Sequence, residues 1–188
     1  MTAPGVEQSG KKPRDPNDFW RTPPEPTFAL ILALEHLIGP VVHEPSCGEG
    51  HIACVLKAAG YDVIATDLVD RGYGEGGVDF LTSPLRAPWV ITNPPFKHAA
   101  AFIEHACAQQ PKFMALLLKS AFWQADIRFD LYQRLPPKLT LPLTWRIDWT
   151  GNGAPTMECA WFVWGSAVPG PMAPVLLRRP KQQWGIFS

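Results

Sequence analysis

Residues Val41–Leu56, VVHEPSCGEGHIACVL, open on an apolar run closed by proline, turn through two glycines and enter a helical pattern. Val41 and Val42 suit a short buried strand, and Pro45 cannot donate to a sheet ladder. Gly48 and Gly50 permit a tight turn and let a ligand approach backbone amides. The helix that follows, HIACVLKAAG, ends on Gly60. A dinucleotide fingerprint needs a third glycine three residues after Gly50, where Ala53 stands, and the Gly-Lys-Ser/Thr of a phosphate loop is missing. Glu44 and Glu49 flank the turn instead. Acidic side chains suit a ligand that carries amino or hydroxyl groups rather than a pyrophosphate.

Outward from this unit the pattern repeats. YDVIATD reads as a strand, DRGYGEGG as a glycine-rich loop, PWVITN as a strand and KHAAAFIEHACAQ as a helix. KFMALLLKS follows as a strand and FWQADIRFDLYQRL as an amphipathic helix. This rhythm predicts an α/β fold, a mostly parallel twisted sheet with helices on both faces. Upstream, TPPE announces a helix with Thr22 as N-cap and Glu25 completing a capping box; it runs through FALILALEHLI and stops at Gly39-Pro40. Downstream, LTLPLTWRIDWTGNGAPTMECAWFVWG alternates around a turn-rich segment and predicts a C-terminal antiparallel hairpin. Residues 1–18, rich in Pro, Gly and charge, read as a flexible tail, 19–166 as one domain, and 167–188 as a proline-rich tail with a basic RRPK.

The composition, 46% hydrophobic and 18% charged over 188 residues, predicts one soluble domain. The longest apolar run near the amino end is too short to span a bilayer and is broken by Glu35 and His36, so no membrane partner is expected. The first eighteen residues lack the apolar core of a signal peptide, which predicts a cytoplasmic protein. Cys47, Cys54, Cys107 and Cys159 are scattered, and the five histidines lack ligand spacing, so no metal is expected. The zero net charge hides an asymmetry: residues 1–110 hold 8 Lys and Arg against 13 Asp and Glu, and residues 111–188 hold 9 against 4. An anionic partner would meet the second half.

Asp67, closing the ATD of the second strand, is placed to accept hydrogen bonds from ribose hydroxyls. Asp79 and Phe80, in VDF, would offer adenine an acceptor and a ring face. A phosphate-free adenosine bearing an ammonium group describes S-adenosylmethionine. Further on, ITNPPF (Ile91–Phe96) ends a strand on an asparagine and locks the next two residues. Asn93 therefore stands on a stiff turn at a strand's carboxyl end, where open α/β sheets bind ligands.

Taken in order, these segments resemble the S-adenosylmethionine-dependent DNA adenine-N6 methyltransferases, including compact phage and prophage forms, over about Trp20 to Trp164. The resemblance implies a Rossmann-like methyltransferase fold over 19–166. Its implied cofactor residues are Thr22 and Pro23 of TPP, Glu44, Pro45, Ser46, Gly48 and Gly50 of the glycine loop, Asp67 and Leu68, Asp79 and Phe80, and Asn93. Its implied catalytic turn is Asn93, Pro94, Pro95 and Phe96. An exocyclic aromatic amine is a poor nucleophile because its lone pair is delocalised into the ring. The Asn93 side-chain oxygen and the Pro94 carbonyl are placed to accept its two hydrogens, and Phe96 would stack on a flipped-out adenine.

Lys97 and Lys119 are expected to meet phosphates and Trp123 to support a displaced base, while Arg146, Arg178, Arg179 and Lys181 would track a nucleic-acid backbone. No separate target-recognition domain follows Trp164, which predicts a short or relaxed target sequence, or recognition supplied by a dimer partner. The setting expected from the resemblance is a bacterial or phage-infected host cell. RNA methylation at adenine N6 or guanine N2 stays open as an alternative, as does a non-catalytic binding module.

Overall fold

The computed structural model describes residues 19–149, 151–153, 155, 157–170 and 174–180. Helix α1 (Pro24–Leu34) leads into β1 (Val41–Glu44), α2 (His51–Ala58), β2 (Asp62–Ala65), β3 (Trp89–Thr92), α3 (Ala99–Ala108), β4 (Phe113–Lys119), α4 (Phe129–Arg134), β5 (Leu139–Ile147) and β6 (Met157–Trp164). The six strands form one sheet in the order β2-β1-β3-β4-β6-β5. The first four are mutually parallel, and β6 runs antiparallel to both β4 and β5. The doubly wound sheet and its C-terminal hairpin are as the sequence predicts.

Period-two alternation in the central strands builds two cores. Phe113, Ala115 and Leu117 of β4 join Cys159, Trp161 and Val163 of β6 beneath α1 and α2. Met114, Leu116 and Leu118 join Ala160, Phe162 and Trp164 against α3 and α4. Both faces being covered, these strands read as unbroken apolar runs rather than as alternating ones. The Trp161 indole, fully buried, donates to the Pro26 carbonyl at 2.9 Å and ties α1 to the sheet.

Three local expectations need correction. Thr22 does not cap α1: Pro23 holds the N-cap position in extended conformation, and no side chain caps the helix. Pro24 and Pro26 in the first turn have no N–H to satisfy, which lowers the need for a cap. Glu25 pairs with Arg179 at 2.6 Å instead of closing a capping box. The helix itself stops at Leu34 and continues as a 3-10 turn over Glu35–Leu37.

FWQADIRFDLYQRL is not one helix. It forms 3-10 turns at Ser120–Trp123 and Asp126–Arg128, then the six-residue α4. Trp123 turns inward against Phe122, Phe162 and Trp164, and Arg128 donates to the Phe122 carbonyl at 2.6 Å. Burying Phe122 and packing Trp123 on the core outweigh continuing the helical stripe, and Ile127 and Phe129 are left exposed.

Part of the expected C-terminal tail packs on the domain. Val175 and Leu177 donate to the Thr140 and Pro142 carbonyls, and Thr144 donates back to Leu177, whose side chain enters the core. This covers the outer edge of β5, a protection edge strands commonly need. The tail expected over 1–18, Lys181, and Thr150, Ala154 and Thr156 of the hairpin loop lie outside the described residues.

Candidate active site

From β1 the chain moves to β2 on one side, then returns to β3 and β4 on the other. The order reverses between β1 and β3, and a crevice opens beyond their carboxyl ends. A cleft of about 230 Å³ lies there. Its walls come from the end of β1 and the turn after it (Glu44, Pro45, Ser46), the loop after β2 (Asp67, Leu68), the segment before β3 (Asp79, Phe80), the turn after β3 (Asn93, Pro95, Lys97) and the stretch before α1 (Phe19, Trp20, Thr22). Residues drawn from five separate stretches of the sequence thus meet in one place.

The glycine turn is held from several directions. Gly48 has φ +55°, and a Cβ there would fall 2.2 Å from the Phe19 ring. Gly50 has φ +83°, and a Cβ would meet the Tyr73 ring at 2.5 Å. Both positions therefore need glycine for conformation and for space. The Arg71 guanidinium lies 4.3 Å above the Phe19 ring, and Arg21 pairs with Glu49 at 2.9 Å. Glu49, read from sequence as a second ligand acid, is thus engaged by the segment before α1.

Asp67 accepts from the Gly48 amide at 2.7 Å and the Val69 amide at 2.9 Å. Ser46 Oγ lies 2.7 Å from Thr92 Oγ1 and donates to the Asn93 carbonyl at 3.3 Å, joining the glycine turn to the end of β3. Beneath them His43 is buried, accepting from the Arg86 amide at Nδ1 and donating from Nε2 to Thr66 Oγ1. Burial, reinforced by Arg86, lowers its pKa to about 4, so the ring is neutral.

Among the residues that line the cleft, two buried side-chain oxygens have no partner. Glu44 Oε2 is one, and burial raises that carboxyl well above its ordinary range. Asn93 Oδ1 is the other. The Asn93 amide donates instead from Nδ2 to Thr22 Oγ1 at 3.0 Å, which leaves the oxygen as an unused acceptor in the wall of the cleft. Unmet buried acceptors are uncommon, because each costs about 1–3 kcal/mol. Here they sit where a ligand with N–H or O–H groups would satisfy them.

The remaining expected residues fall differently. Leu68 is 57% exposed at the cleft wall, an apolar surface open to a flat ring. Asp79 caps the turn at Phe80–Thr82 by accepting from the Leu81 amide at 2.9 Å. Phe80 borders the cleft but is buried, with Phe102 and His105 on its ring at 4.7 and 5.0 Å, so its face serves the core.

Phe96 does not border the cleft; its ring meets Trp149 edge-on at 6.2 Å and lies under the Lys119 ammonium at 5.2 Å. Lys119 therefore stands beside the turn of Asn93 to Phe96. Trp123 does not: it belongs to the core aromatic cluster and borders a second groove with Tyr132 and Lys138. Arg146 pairs across the hairpin with Glu158 at 2.8 Å. His98 lines the cleft beside Lys97, and Phe19, Trp20, His51 and Arg71 also line it and were not anticipated. The aromatic pair in DFWRTPP, stranded in a polar segment, was the available signal.

No family model matches the sequence, and no significant match exists among curated proteins. Solved structures do match. A candidate RNA methyltransferase from Pyrococcus horikoshii is 17% identical with a TM-score of 0.63, covering 84% of this chain and 91% of that one. A modification subunit of a candidate type I restriction enzyme from Vibrio vulnificus is 12% identical with a TM-score of 0.58, over 90% of this chain. The type I restriction-modification methyltransferase subunit from Streptococcus thermophilus is 14% identical with a TM-score of 0.52, over 76% of this chain. The chain spans 49% and 42% of those two subunits. The fold is the Rossmann-like methyltransferase fold. In this methyltransferase fold the cleft occupies the switch point between β1 and β3, with the glycine turn on one side and Asn93 on the other.

Proposed function

We propose that the protein transfers a methyl group from S-adenosylmethionine to the N6 amino group of adenine in DNA. The observation that carries this is Asn93 Oδ1, a buried acceptor without a partner, on a proline-fixed turn beside a cleft lined by Glu44, Ser46 and Asp67. An amine acceptor there has a clear use. By taking an amino hydrogen it draws the nitrogen toward a pyramidal geometry and aims its lone pair.

The residues present fit the cofactor. Glu44 supplies a second unmet buried acceptor, suited to an ammonium or hydroxyl group, and Leu68 gives a flat ring an exposed apolar surface. Ser46, Asp67, Asp79 and Phe80 line the cleft and would hold the cofactor, with Gly48 and Gly50 shaping the turn behind them against Phe19 and Tyr73. When bound, S-adenosylmethionine supplies an electrophilic methyl group on a sulfonium. The chain's own contribution is alignment, since holding two reactants in line accounts for a large share of such rates.

The Pro94 carbonyl serves as the second acceptor in this reading. Lys97 and Lys119, beside the turn, would meet the phosphates flanking the extruded base. The likeness to restriction-modification subunits supports DNA. The archaeal structure, whose length the chain nearly matches, supports an RNA base as the second reading.

The test is methyl transfer from labelled S-adenosylmethionine to unmethylated DNA, matched RNA and protein, with Asn93→Ala in parallel and nucleoside digestion of the product. N6-methyladenine in DNA, lost in the variant with cofactor binding kept, is the expected result. Label in RNA alone would move the substrate to the second reading. Full turnover by Asn93→Ala would overturn the role of Asn93.

A further inference from the structure

The amide of an asparagine is nearly symmetric in shape and opposite in chemistry at its two ends. A site that takes hydrogens from an amine works only with the oxygen turned toward it. The prolines after Asn93 fix the backbone, yet they leave the terminal torsion of the side chain free, and that torsion is intrinsically broad. Some neighbour must choose the rotation.

We propose that Thr22 sets that rotation together with the substrate: it is a positioning residue whose hydroxyl accepts from Asn93 Nδ2 while the amide oxygen takes a hydrogen of the reacting amine, the one arrangement that pairs all three groups. The inference rests on the function proposed above. Thr22 is 4% exposed, and its Oγ1 lies 3.0 Å from Asn93 Nδ2 while Asn93 Oδ1 has no partner. With the amide reversed, the hydroxyl could still donate to Oδ1, but the Nδ2 group would then face the hydrogens of the amine. The cleft would then repel an amino group and favour a carbonyl.

Thr22 is itself firmly placed. Pro23 and Pro24 follow it, Arg21 before it pairs with Glu49, and Trp20 packs on Trp149 with ring centroids 5.9 Å apart. Phe19 sits against Gly48. The segment that delivers the hydroxyl to Asn93 is thus fastened to the glycine turn beside the cleft. Its helix uses no side-chain cap, so capping does not explain this hydroxyl.

The test compares Thr22→Val, which keeps the shape and removes the hydroxyl, with Thr22→Ser, which keeps the hydroxyl. Misplaced reacting groups cost up to about 100-fold in rate, so Thr22→Val is expected to lower the single-turnover methylation rate by about 30–100-fold. Cofactor Kd and nucleic-acid KM should stay within about threefold, and Thr22→Ser should restore most of the rate. A cofactor-contact role would instead raise Kd tenfold or more and leave the rate at saturation intact, which would overturn the proposal.

A second readout does not need activity. In protein labelled with ¹⁵N-asparagine, the Asn93 side-chain NH₂ pair, identified by its loss in Asn93→Ala, should shift and exchange faster in Thr22→Val but not in Thr22→Ser. Unchanged Asn93 signals in Thr22→Val would overturn the inference by themselves. If the wild type methylates nothing while the signals respond as expected, the contact stands and the proposed reaction fails.

Discussion

Asp67 Oδ2 accepts a 2.7 Å hydrogen bond from the Gly48 amide, so the carboxyl end of β2 is fastened to the turn that follows β1. Its other oxygen takes the Val69 amide. One side chain therefore sets the shape of two loops on the same wall of the cleft. Asp67→Asn has one acceptor oxygen for two backbone donors and places an NH₂ against the other. Hydrogen bonds to charged groups are worth about 1.5–3 kcal/mol. The variant is expected to lose about 2 kcal/mol of stability, roughly 4–8 °C in Tm. Cofactor affinity should fall by about tenfold or more, since 1.4 kcal/mol is tenfold. Thermal melts with and without S-adenosylmethionine, backed by calorimetric titration, check both.

Gly48→Ala places a methyl group at φ +55° and against Phe19. A left-handed conformation costs an L-residue roughly 1–2 kcal/mol. Relief requires Phe19 to leave its seat, which loosens the segment that carries Thr22. Cofactor binding is expected to weaken more than stability does. A variant with unchanged cofactor Kd would show that Phe19 and the turn are not linked.

His43 gives a pH dependence with a defined sign. Its folded pKa is lowered from 6.5 to about 4, chiefly by burial. As pH falls the unfolded chain takes the proton first, so this contribution is complete above pH 6.5 and is lost on approach to pH 4. Over that span it amounts to about 3 kcal/mol, at 1.36 kcal/mol per pKa unit. Glu44 acts in the opposite direction, because burial raises its pKa and stability falls as pH rises above 4.5. The comparison of wild type with His43→Gln isolates the histidine. Urea unfolding at pH 7.5, 5.5 and 4.5 should show the stability difference narrowing or reversing in favour of the variant as pH drops. A constant difference would mean that His43 does not titrate between the two states.

Trp161→Phe removes the indole N–H that reaches the Pro26 carbonyl at 2.9 Å, and leaves a small void under α1. About 2 kcal/mol of destabilisation is expected from the lost bond and reduced packing. Because α1 follows directly from Thr22, methyl-transfer rate should fall with it. Chemical denaturation and single-turnover rates on the same variant test whether the two losses go together.

Much of the fold was legible because its signals are local. Gly60 stops α2, the apolar runs at β3 and β4 are bounded by turn residues, and the alternation of β5 and β6 surrounds a glycine-rich turn. The reading failed where local preference met tertiary demand. The stripe in FWQADIRFDLYQRL is helical by pattern, yet Trp123 is worth more in the core than the helix is worth intact. Thr22 looked like a cap because the motif fits one, and the prolines after it reduced the need for a cap.

The chain by itself determined which residues were available to the site: Glu44 through Gly50, Asp67, Asp79 and Asn93 each stand at the end of a recognisable strand or loop. Backbone chemistry explains that, since glycine and proline act on their immediate neighbours. Only the tertiary structure decided how those residues are used. Phe96 and Phe80 bear the same kind of ring, yet contacts with Trp149 and Lys119 keep Phe96 off the cleft, while Phe80 borders it with its ring packed on Phe102 and His105. Thr22 and Asn93 lie 71 residues apart, and their hydrogen bond is made by the packing that ties α1 to the sheet through Trp161 and the segment before it to the glycine turn. Orientation of an amide depends on what faces it, and what faces it is settled by packing.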